Sequence, residues 1–441
     1  MENTTIAAQA TAPGKGGIAI VRVSGPDARH LLSQVFVAAG IEGPFESHRM
    51  YYGQVMANGK PLDEGMAVLM QAPRSYTRED VAEIHLHGGE FVVDQLLQAL
   101  YALGAAPAQP GEFTRRAFLN GRVDLGRAEA VMQMIAATGE RAAKAGLRGL
   151  QGGASSFIGQ AQQQLLDILA GVAASLDYPE EIDEQEAIGG LLPRTLSLAG
   201  SLRDACDQRA ARILESGLEV AICGRPNVGK SSLLNLLLGE ERAIVTDEAG
   251  TTRDIVRGST LIDGVRVNFA DTAGIRQSLQ RVEQIGIRLA EQAMQGADLT
   301  LIVLDQGEPL LEDDRRILDM ARDLPHLVVL NKSDLPPAPG LPRGLLVSAQ
   351  TGEGIDALRT AIAAHAGHAG EGALTLARHM QLAERAANAL EEAADAMRKG
   401  EPLDLCAIHL HEALSALGEV TGDNVTEGLL DQVFSQFCVG K

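Results

Sequence analysis

The sequence predicts a multidomain fold with an α+β N-terminal domain, an all-α helical domain, and an α/β domain inserted into the helical one. The first 120 residues mix alternating strand patterns with an amphipathic helix. A helical pattern rich in Ala, Leu and Gln follows, stops at Gly217, and returns towards the end of the chain. In between, strands and helices alternate, which is typical of a parallel sheet covered by helices.

The composition is typical of several globular domains and argues against a protein that coats nucleic acid. The 441 residues include 58 acidic and 38 basic side chains, a formal net charge of −20. At about 100–200 residues per domain, this length corresponds to roughly three domains. The acidic balance argues against a protein that coats DNA or RNA, because such binding depends on neutralising phosphates. An enzyme acting on RNA through a local cationic patch stays possible.

Cysteine usage and the N-terminus predict a cytoplasmic protein. Four cysteines lie far apart, with no CxxC pair, which is typical of a reducing compartment. The first residues lack the basic and apolar regions of a secretory signal. No apolar stretch approaches the roughly 20 residues needed to cross a bilayer, so we expect no membrane partner.

Strand patterns dominate the predicted N-terminal domain, residues 1–120. Residues 5–24 read as a strand, a PGKGG turn and a second strand with alternating β-branched residues. Further strands are predicted at MYYGQV, EGMAVLMQA and AEIHLHGG. The run FVVDQLLQALYALG has apolar residues at helical spacing and ends at Gly104, so it predicts a helix.

Two helical stretches, residues 121–216 and 372–441, flank the α/β block at residues 217–371. We expect them to form one helical domain that carries the block as an insertion, although two separate helical regions are the alternative. The acidic run Tyr178–Ile188 is predicted to be an exposed connection. The small residues of Ala364–Ala373 predict a flexible linker.

The strongest motif lies at the start of the α/β block. The apolar strand Val220–Cys223 leads into GRPNVGKS, residues 224–231, and a helix follows. This is the phosphate-binding G-x-x-x-x-G-K-S pattern in its strand–loop–helix setting. Backbone N–H groups of the loop and the helix N-terminus can hold phosphate oxygens. Lys230 would reach the outer phosphates as a catalytic group, and the Ser231 hydroxyl would bind Mg²⁺.

Two later motifs indicate which nucleotide binds. Asn331-Lys332-Ser333-Asp334 follows the strand HLVVL, and Ser348-Ala349 follows LLV. A carboxylate at Asp334 accepts two hydrogen bonds from the ring N–H and exocyclic amine of guanine. Adenine lacks that donor pair and would leave the carboxylate unpaired, so the motif predicts GTP and rejection of ATP.

Two polar segments between these motifs are predicted to face the phosphates. In Asp271-Thr272-Ala273-Gly274, the carboxylate can join the metal shell and the Gly274 amide can sense a γ-phosphate. The loop Val245–Asp254 is suited to ordering around nucleotide, with Thr252 as a second Mg²⁺ ligand, although a plain surface loop is the alternative. The predicted GTP-binding residues are Asn227, Val228, Gly229, Lys230, Ser231, Ser232, Thr246, Asp247, Glu248, Ala249, Gly250, Thr251, Thr252, Asp271, Thr272, Ala273, Gly274, Asn331, Lys332, Ser333, Asp334, Ser348 and Ala349.

The residue after DTAG is Ile275, where many GTPases place a glutamine that orients the attacking water. An aliphatic side chain cannot do this, so hydrolysis must take polar help from elsewhere. Asn227 in the phosphate loop could hold a monovalent cation near the phosphates. Glu283 could position the water as a catalytic residue, or it could be a solvated helix charge.

Nearly the whole chain resembles the MnmE (TrmE) family of tRNA-modification GTPases. Besides the GTP motifs, which fit many families, the resemblance rests on TIAAQATAPGKGGIAIVRVSG and PGEFTRRAFLNGRVDL near the start, VTDEAGTTRD and VEQIGI in the block, and the terminal FCVGK. It implies an N-terminal domain like that of folate-dependent aminomethyl-transfer proteins, which binds tetrahydrofolate and dimerises the protein. It also implies a helical domain with an inserted GTP-binding domain.

The resemblance further implies a complex with the flavoprotein MnmG, as a heterotetramer or larger assembly, with FAD on that partner. Together the two would add a carboxymethylaminomethyl or aminomethyl group to carbon 5 of the wobble uridine in tRNA. The one-carbon source would be 5,10-methylene-tetrahydrofolate, with 5-formyl-tetrahydrofolate as a stable analogue. GTP hydrolysis would depend on K⁺ and on dimerisation of the GTP-binding domains.

Site residues carried over from the family fall into three groups. Ser231 and Thr252 would bind Mg²⁺, and Glu283 would orient the hydrolytic water. The residues implied to surround K⁺ are Asn227, Thr246, Glu248 (through its carbonyl) and Thr251. The residues implied to contact folate are Arg22, Glu79, Arg122 and Lys441. Arg122 stands where the family often has lysine, and Glu248 where an apolar residue is more usual.

Other residues have open interpretations. Cys438 could be a catalytic nucleophile or a small buried residue near the folate pocket. The pairs His85/His87 and His409/His411 lack a third ligand at useful spacing, which argues against a metal site. Arg115, Arg116, Arg122 and Arg127 form the one dense cationic stretch, which could also be a solvated helix face. Since no predicted domain is basic, we expect the partner to hold most of the tRNA.

A function of another class fits the GTP motifs equally well. A regulatory GTPase for ribosome assembly would act as a binding switch without one-carbon chemistry. The N-terminal block and the terminal FCVGK distinguish the two, because a ribosomal switch would not need them. We therefore expect the tRNA-modification function, with the switch as the alternative.

Overall fold

The computed structural model describes residues 4–40, 43–181, 183–239, 256–271, 291–367 and 369–441. The chain divides into two compact units, which are described separately. The first comprises Met1–Met132, Gly149–Leu191 and Ala396–Lys441. The second comprises Gln133–Arg148 and Leu192–Asp395.

The first unit is built on a seven-stranded sheet of order β3-β4-β5-β6-β2-β1-β7. Neighbouring strands are antiparallel except for the β1–β7 pair, which is parallel. The strands are β1 (Ile6–Gln9), β2 (Gly16–Ser24), β3 (Phe36–Ala38), β4 (Met50–Ala57), β5 (Lys60–Met70), β6 (Val81–Gly88) and β7 (Ala106–Pro107).

One face of this sheet is covered by helices α1 (Ala28–Val35) and α2 (Glu90–Ala102). Alternation places Val21, Val23 and Ile84 on that face, where they are fully buried with Leu96 and Leu100 of α2. Side chains two residues apart share a face of a strand, so the predicted alternation fixes which side carries the core.

Helices complete the first unit. Among them are α3 (Glu112–Leu119), α4 (Leu125–Ala136), α6 (Gly153–Asp177), α13 (Leu403–Thr421) and α14 (Glu427–Ser435). Helices α6 and α13 pack against each other. Leu125 and Ala128 of α4 share an apolar cluster with Phe434 of α14 and with Phe437. The end of the chain is thereby packed onto the unit that contains its beginning.

The second unit contains a six-stranded sheet of order β13-β12-β11-β8-β10-β9. All neighbouring pairs are parallel except β9–β10, which forms an antiparallel hairpin. The strands are β8 (Leu218–Cys223), β9 (Val256–Ile262), β10 (Val265–Asp271), β11 (Leu299–Asp305), β12 (His326–Asn331) and β13 (Leu345–Val347). Separate apolar clusters cover the two faces of the sheet, as expected for an α/β layer.

The remaining helices are α5 (Glu140–Leu150), α7 (Glu184–Asp204), α8 (Gln208–Ser216), α9 (Lys230–Leu238), α10 (Glu312–Met320), α11 (Ile355–Ala364) and α12 (Ala377–Lys399). Within the second unit, α7 is tied to α12 by Arg203. Its guanidinium donates to both carboxylate oxygens of Glu391 at 2.6 Å and to Asn388 at 2.7 Å.

The predicted fold class is confirmed: the chain combines an α+β part, a helical part and a predominantly parallel α/β sheet. The boundaries at residues 120, 216 and 371 stay a prediction. Two local predictions are wrong. The acidic run is not a connection throughout, because α7 begins at Glu184, where the Asp183 carboxylate accepts from the backbone N–H groups of Gln185 and Glu186 at 3.0 Å.

The predicted linker Ala364–Ala373 is also not a free connection where it is described. Ala366 and Ala369 are 2% and 1% exposed, and both belong to the core of the second unit. Their small side chains reflect close packing on the sheet, which composition alone does not distinguish from flexibility. Across the part of the chain that the structure describes, no helix combines the length and apolar character needed to cross a membrane.

Candidate functional site

The phosphate loop joins β8 to α9 at the carboxyl edge of the second unit's sheet. As predicted, the strand ends at Cys223 and a loop and a helix follow; the helix begins at Lys230, within the motif. Val228 points into the core and is fully buried, while Asn227 is exposed and takes a left-handed backbone with φ of 68°. The apolar side chain anchors the loop, and the polar one remains at its surface.

Lys230 is held at this loop. Its Nζ donates to the carbonyls of Gly224 and Arg225, both at 2.8 Å, and the residue is 8% exposed. Ser231 and Ser232 occupy the exposed first turn of α9, where N–H groups and the helix dipole favour anions. The loop therefore gathers a cation, a helix N-terminus and two hydroxyls, which suits a phosphate with its metal ion.

The base-reading motif lies at the end of β12, which β11 separates from β8 in the sheet. Asn331 is 1% exposed, and its Nδ2 donates to the Val228 carbonyl at 2.8 Å. Its Oδ1 accepts from the Ala349 N–H at 3.0 Å. One buried amide thus connects the phosphate loop to the segment after β13, and the structure brings three motifs that are far apart in sequence to one edge.

Asp334 is positioned by another of the predicted residues. Ser348 Oγ donates to Asp334 Oδ1 at 2.6 Å, and Ser348 itself is fully buried. The carboxylate is exposed and keeps acceptor positions for the two guanine donors. Ser333 lies beside it, with a buried Oγ.

Several predicted site residues lie outside the described part of the chain. Asp271 ends β10, but its side chain is not described. The remaining ones are Thr246, Asp247, Glu248, Ala249, Gly250, Thr251, Thr252, Thr272, Ala273, Gly274 and Glu283. Their roles in binding Mg²⁺, K⁺ and water stay predictions.

A second cluster of predicted residues lies in the first unit. Arg22 on β2 donates through Nε to Glu83 Oε1 at 2.9 Å and through Nη1 to the Gly440 carbonyl at 3.2 Å. Its guanidinium is 5.4 Å from the centre of the Tyr76 ring, and that of Arg122 is 5.0 Å from the same ring. Two of the predicted folate contacts therefore flank one aromatic side chain.

The other two predicted folate contacts differ in their surroundings. Glu79 accepts from Ser24 Oγ at 2.7 Å and from Arg116 Nη1 at 3.2 Å. Lys441 belongs to the terminal segment that Arg22 holds through Gly440, and its backbone N–H donates to the Cys438 carbonyl at 3.3 Å. The same carbonyl accepts from Gly111 at 3.3 Å, which fixes the segment at the start of α3.

The structure bears on some of the residues whose interpretation was open. Cys438 is exposed, so its interpretation as a small buried residue is wrong. Cys206 is less exposed than Cys438. Burial raises the pKa of the Cys206 thiol to about 11, with a further contribution from the Glu384 carboxylate. His85 Nε2 lies 3.5 Å from Glu83, and His87 Nδ1 lies 2.8 Å from Asp63.

The cationic stretch is not a free patch. Arg115 pairs with Asp431 at 3.1 Å, Arg116 with Glu79 and Glu112, and Arg127 with Asp124 at 3.4 Å. Arg122 instead donates to the Ser75 carbonyl at 2.6 Å. Since three of the four arginines face carboxylates, this stretch offers little net positive charge to a nucleic acid.

Several residues that position these sites are not among the predicted ones. They are Glu83 beside Arg22, Asp305 beside Lys332, and the pair Glu308 and Asp314 beside Arg225. Asp305 carried a usable signal, because acidic residues that directly follow a buried parallel strand lie at the edge where ligands bind. The others carried none in the sequence, since their partners are more than 60 residues away.

We predict that Glu83 stabilises the first unit in a pH-dependent way. The neighbouring His85 imidazole, 3.5 Å away, and the charge of Arg22 lower the pKa of its carboxyl below the usual 4.5. A lowered folded-state pKa contributes stability above the unfolded value, and that contribution is lost as pH falls through the folded value. The stability difference between wild type and Glu83→Gln should therefore be present at pH 7 and shrink below about pH 4.5.

Urea unfolding between pH 3 and 7 measures this difference. Glu46→Gln is the matched control, because Glu46 pairs with Arg49 on the surface, with side chains 68% and 51% exposed. A difference for Glu83→Gln that stays constant down to pH 3 would contradict the assignment.

Comparisons with known proteins identify the family of this chain. The family model described as MnmE helical domain matches residues 125–438. The one described as GTP-binding protein TrmE N-terminus matches residues 5–122. Between them, these two matches span almost the entire chain.

Full-length relatives carry the same description. The tRNA modification GTPase MnmE of Listeria innocua is 43% identical, with 100% of both chains covered. The protein of that name from Synechococcus sp. (strain RCC307) is 45% identical over 99% of this chain and 98% of its own. That from Geobacter sulfurreducens is 44% identical over 99% of each. The chain belongs to the MnmE family of tRNA modification GTPases.

Proposed function

We propose that this GTP hydrolase drives conformational steps in a complex that modifies the wobble uridine of tRNA. Together with the flavoprotein MnmG, which would carry FAD, it would add a carboxymethylaminomethyl or aminomethyl group to carbon 5. The one-carbon unit would come from 5,10-methylene-tetrahydrofolate. The observation that carries this proposal is the pair of guanidinium groups, Arg22 and Arg122, around Tyr76, beside the docked terminal segment.

The folate part of the proposal follows from the chemistry of that cluster. A folate offers a flat ring system and glutamyl carboxylates, which suit an aromatic ring flanked by guanidinium groups. Arg22 is already bonded to Glu83 and Gly440, whereas Arg122 has only the Ser75 carbonyl and the Tyr76 ring as described partners. Arg122 therefore has more N–H donors to offer a carboxylate.

The GTP part of the proposal assigns two ions to the phosphate loop. The exposed Ser231 hydroxyl on the first turn of α9 fits a Mg²⁺ ligand, with Thr252 as the second. Asn227 offers a side-chain oxygen at the loop surface, which fits K⁺, with Thr246, Glu248 and Thr251 completing the set. Bound there, K⁺ would supply positive charge near the phosphates, and Glu283 would orient the attacking water.

Several features support the proposed assembly. Ile18, Tyr52 and Met66 on the N-terminal sheet are 63%, 59% and 41% exposed, and Tyr52 lies directly opposite Met66 across strands β4 and β5. Such an apolar face suits a homodimer formed by this domain. The net charge of −20 and the paired arginines suit a partner that holds most of the tRNA. The domain limits 1–120, 121–216, 217–371 and 372–441 and a cytoplasmic location belong to the same proposal.

Potassium should accelerate hydrolysis. GTP turnover of the full chain measured in KCl should exceed that in NaCl at equal ionic strength. Asn227→Ala should remove the difference between the two salts, because the loop loses its side-chain oxygen ligand. Asn235→Ala, an exposed position on α9 beyond the loop, is the control and should retain the difference. Equal wild-type rates in both salts would refute the cation site.

Folate binding is tested separately from GTP. We expect saturable binding of 5-formyl-tetrahydrofolate to the full chain, weakened about tenfold in Arg122→Met, because a charge-assisted hydrogen bond is lost. Arg49→Met, which removes a surface arginine stacked on Tyr51, is the control and should bind like wild type. Wild-type protein that shows no saturable binding at millimolar folate would refute the one-carbon part of the proposal.

A further inference from the structure

A segment outside every recognised motif contacts both nucleotide-binding parts of the second unit. It runs from Asp305, the last residue of β11, to Asp314 in the first turn of α10. We call residues 305–314 the bridging segment. It lies at the same edge of the sheet as the phosphate loop, because β8 and β11 are parallel neighbours.

Its first residues hold the base-reading motif. Asp305 Oδ2 accepts from Lys332 Nζ at 2.5 Å, with the Asp305 side chain 4% exposed. The backbone N–H of Gln306 donates to the Asn331 carbonyl at 2.8 Å. The Gln306 carbonyl in turn accepts from the backbone N–H of Ala338 at 2.9 Å. A carboxylate this deeply buried needs its cation, so the Lys332 ammonium is fixed in position.

Its later residues hold the phosphate loop. Arg225 Nη2 lies 2.5 Å from Glu308 Oε2, and Arg225 Nε lies 3.3 Å from Asp314 Oδ2. The side chains of Arg225 and Asp314 are 14% and 3% exposed. The carbonyl of the same Arg225 accepts from Lys230 Nζ at 2.8 Å. The anchored side chain thus fixes the peptide that holds the phosphate-binding lysine.

We propose that the bridging segment is a positioning element for guanine nucleotides, with three of its carboxylates, Asp305, Glu308 and Asp314, dividing the task. Asp305 orients Lys332 at the base, whereas Glu308 and Asp314 orient Arg225 at the phosphates. These carboxylates act through the two cations and not on the nucleotide. The inference rests on guanine-nucleotide binding, which the proposed function requires.

Because Asp305 acts at the base and Glu308 at the phosphates, ligands with and without phosphates distinguish the two roles. Affinities of guanosine and GDP for the full chain are measured by competition against a fluorescent GDP analogue. Asp305→Asn should weaken both ligands by the same factor, about tenfold, because both present the base to Lys332. Glu308→Gln should weaken GDP several-fold and leave guanosine unchanged, because only GDP reaches the phosphate loop.

The control and a second variant complete the experiment. Glu312→Gln changes an exposed carboxylate of α10 that pairs with Arg316, and both affinities should stay at the wild-type value. If Asp305→Asn does not fold, Lys332→Met removes the same ion pair from its more exposed side and should give the same equal loss. Unchanged affinities in these variants, or equal losses of both ligands in Glu308→Gln, would overturn the inference. Failure of wild type to bind GDP would instead overturn the proposed function.

Discussion

The nucleotide site depends above all on one buried side-chain amide. Asn331 donates to the phosphate loop through Val228 and accepts from the segment after β13 through Ala349. At 1% exposure, neither end of the amide can turn to water, and leaving one of these groups unpaired costs about 1–3 kcal/mol. Because each hydrogen bond reaches a different motif, their relative positions are set by this residue before any nucleotide arrives.

The sequence predicts those parts of this site that depend on interactions between residues close together in the chain. The strand ending at Cys223 and the helix starting at Lys230 follow from an apolar run, a glycine-rich loop and a helix-forming run within twenty residues. Ion pairs such as Arg225 with Asp314 join residues that nothing in the sequence connects. Their geometry requires the parallel order of the strands, which periodicity does not supply.

The same distinction holds for the rest of the fold. Sheet and helix periodicity predicted the elements, because burial on one face imposes a pattern of two or 3.6 residues. Composition predicted the wrong local structure where small or charged residues can play more than one structural role. Ala366 and Ala369 pack in a core where a linker was expected, and Asp183 caps a helix where a connection was expected. Exposure of Cys438 likewise depends on how the terminal segment docks through Gly440 and Arg22.

Asn331→Asp tests whether this one amide holds the three nucleotide-binding motifs in register. A carboxylate keeps the size and the acceptor towards Ala349 but cannot donate to the Val228 carbonyl. GDP affinity of the full chain should fall by about tenfold or more, with the melting temperature of the first unit unchanged. GDP affinity equal to that of wild type would show that the Asn331 amide does not hold the three motifs in register.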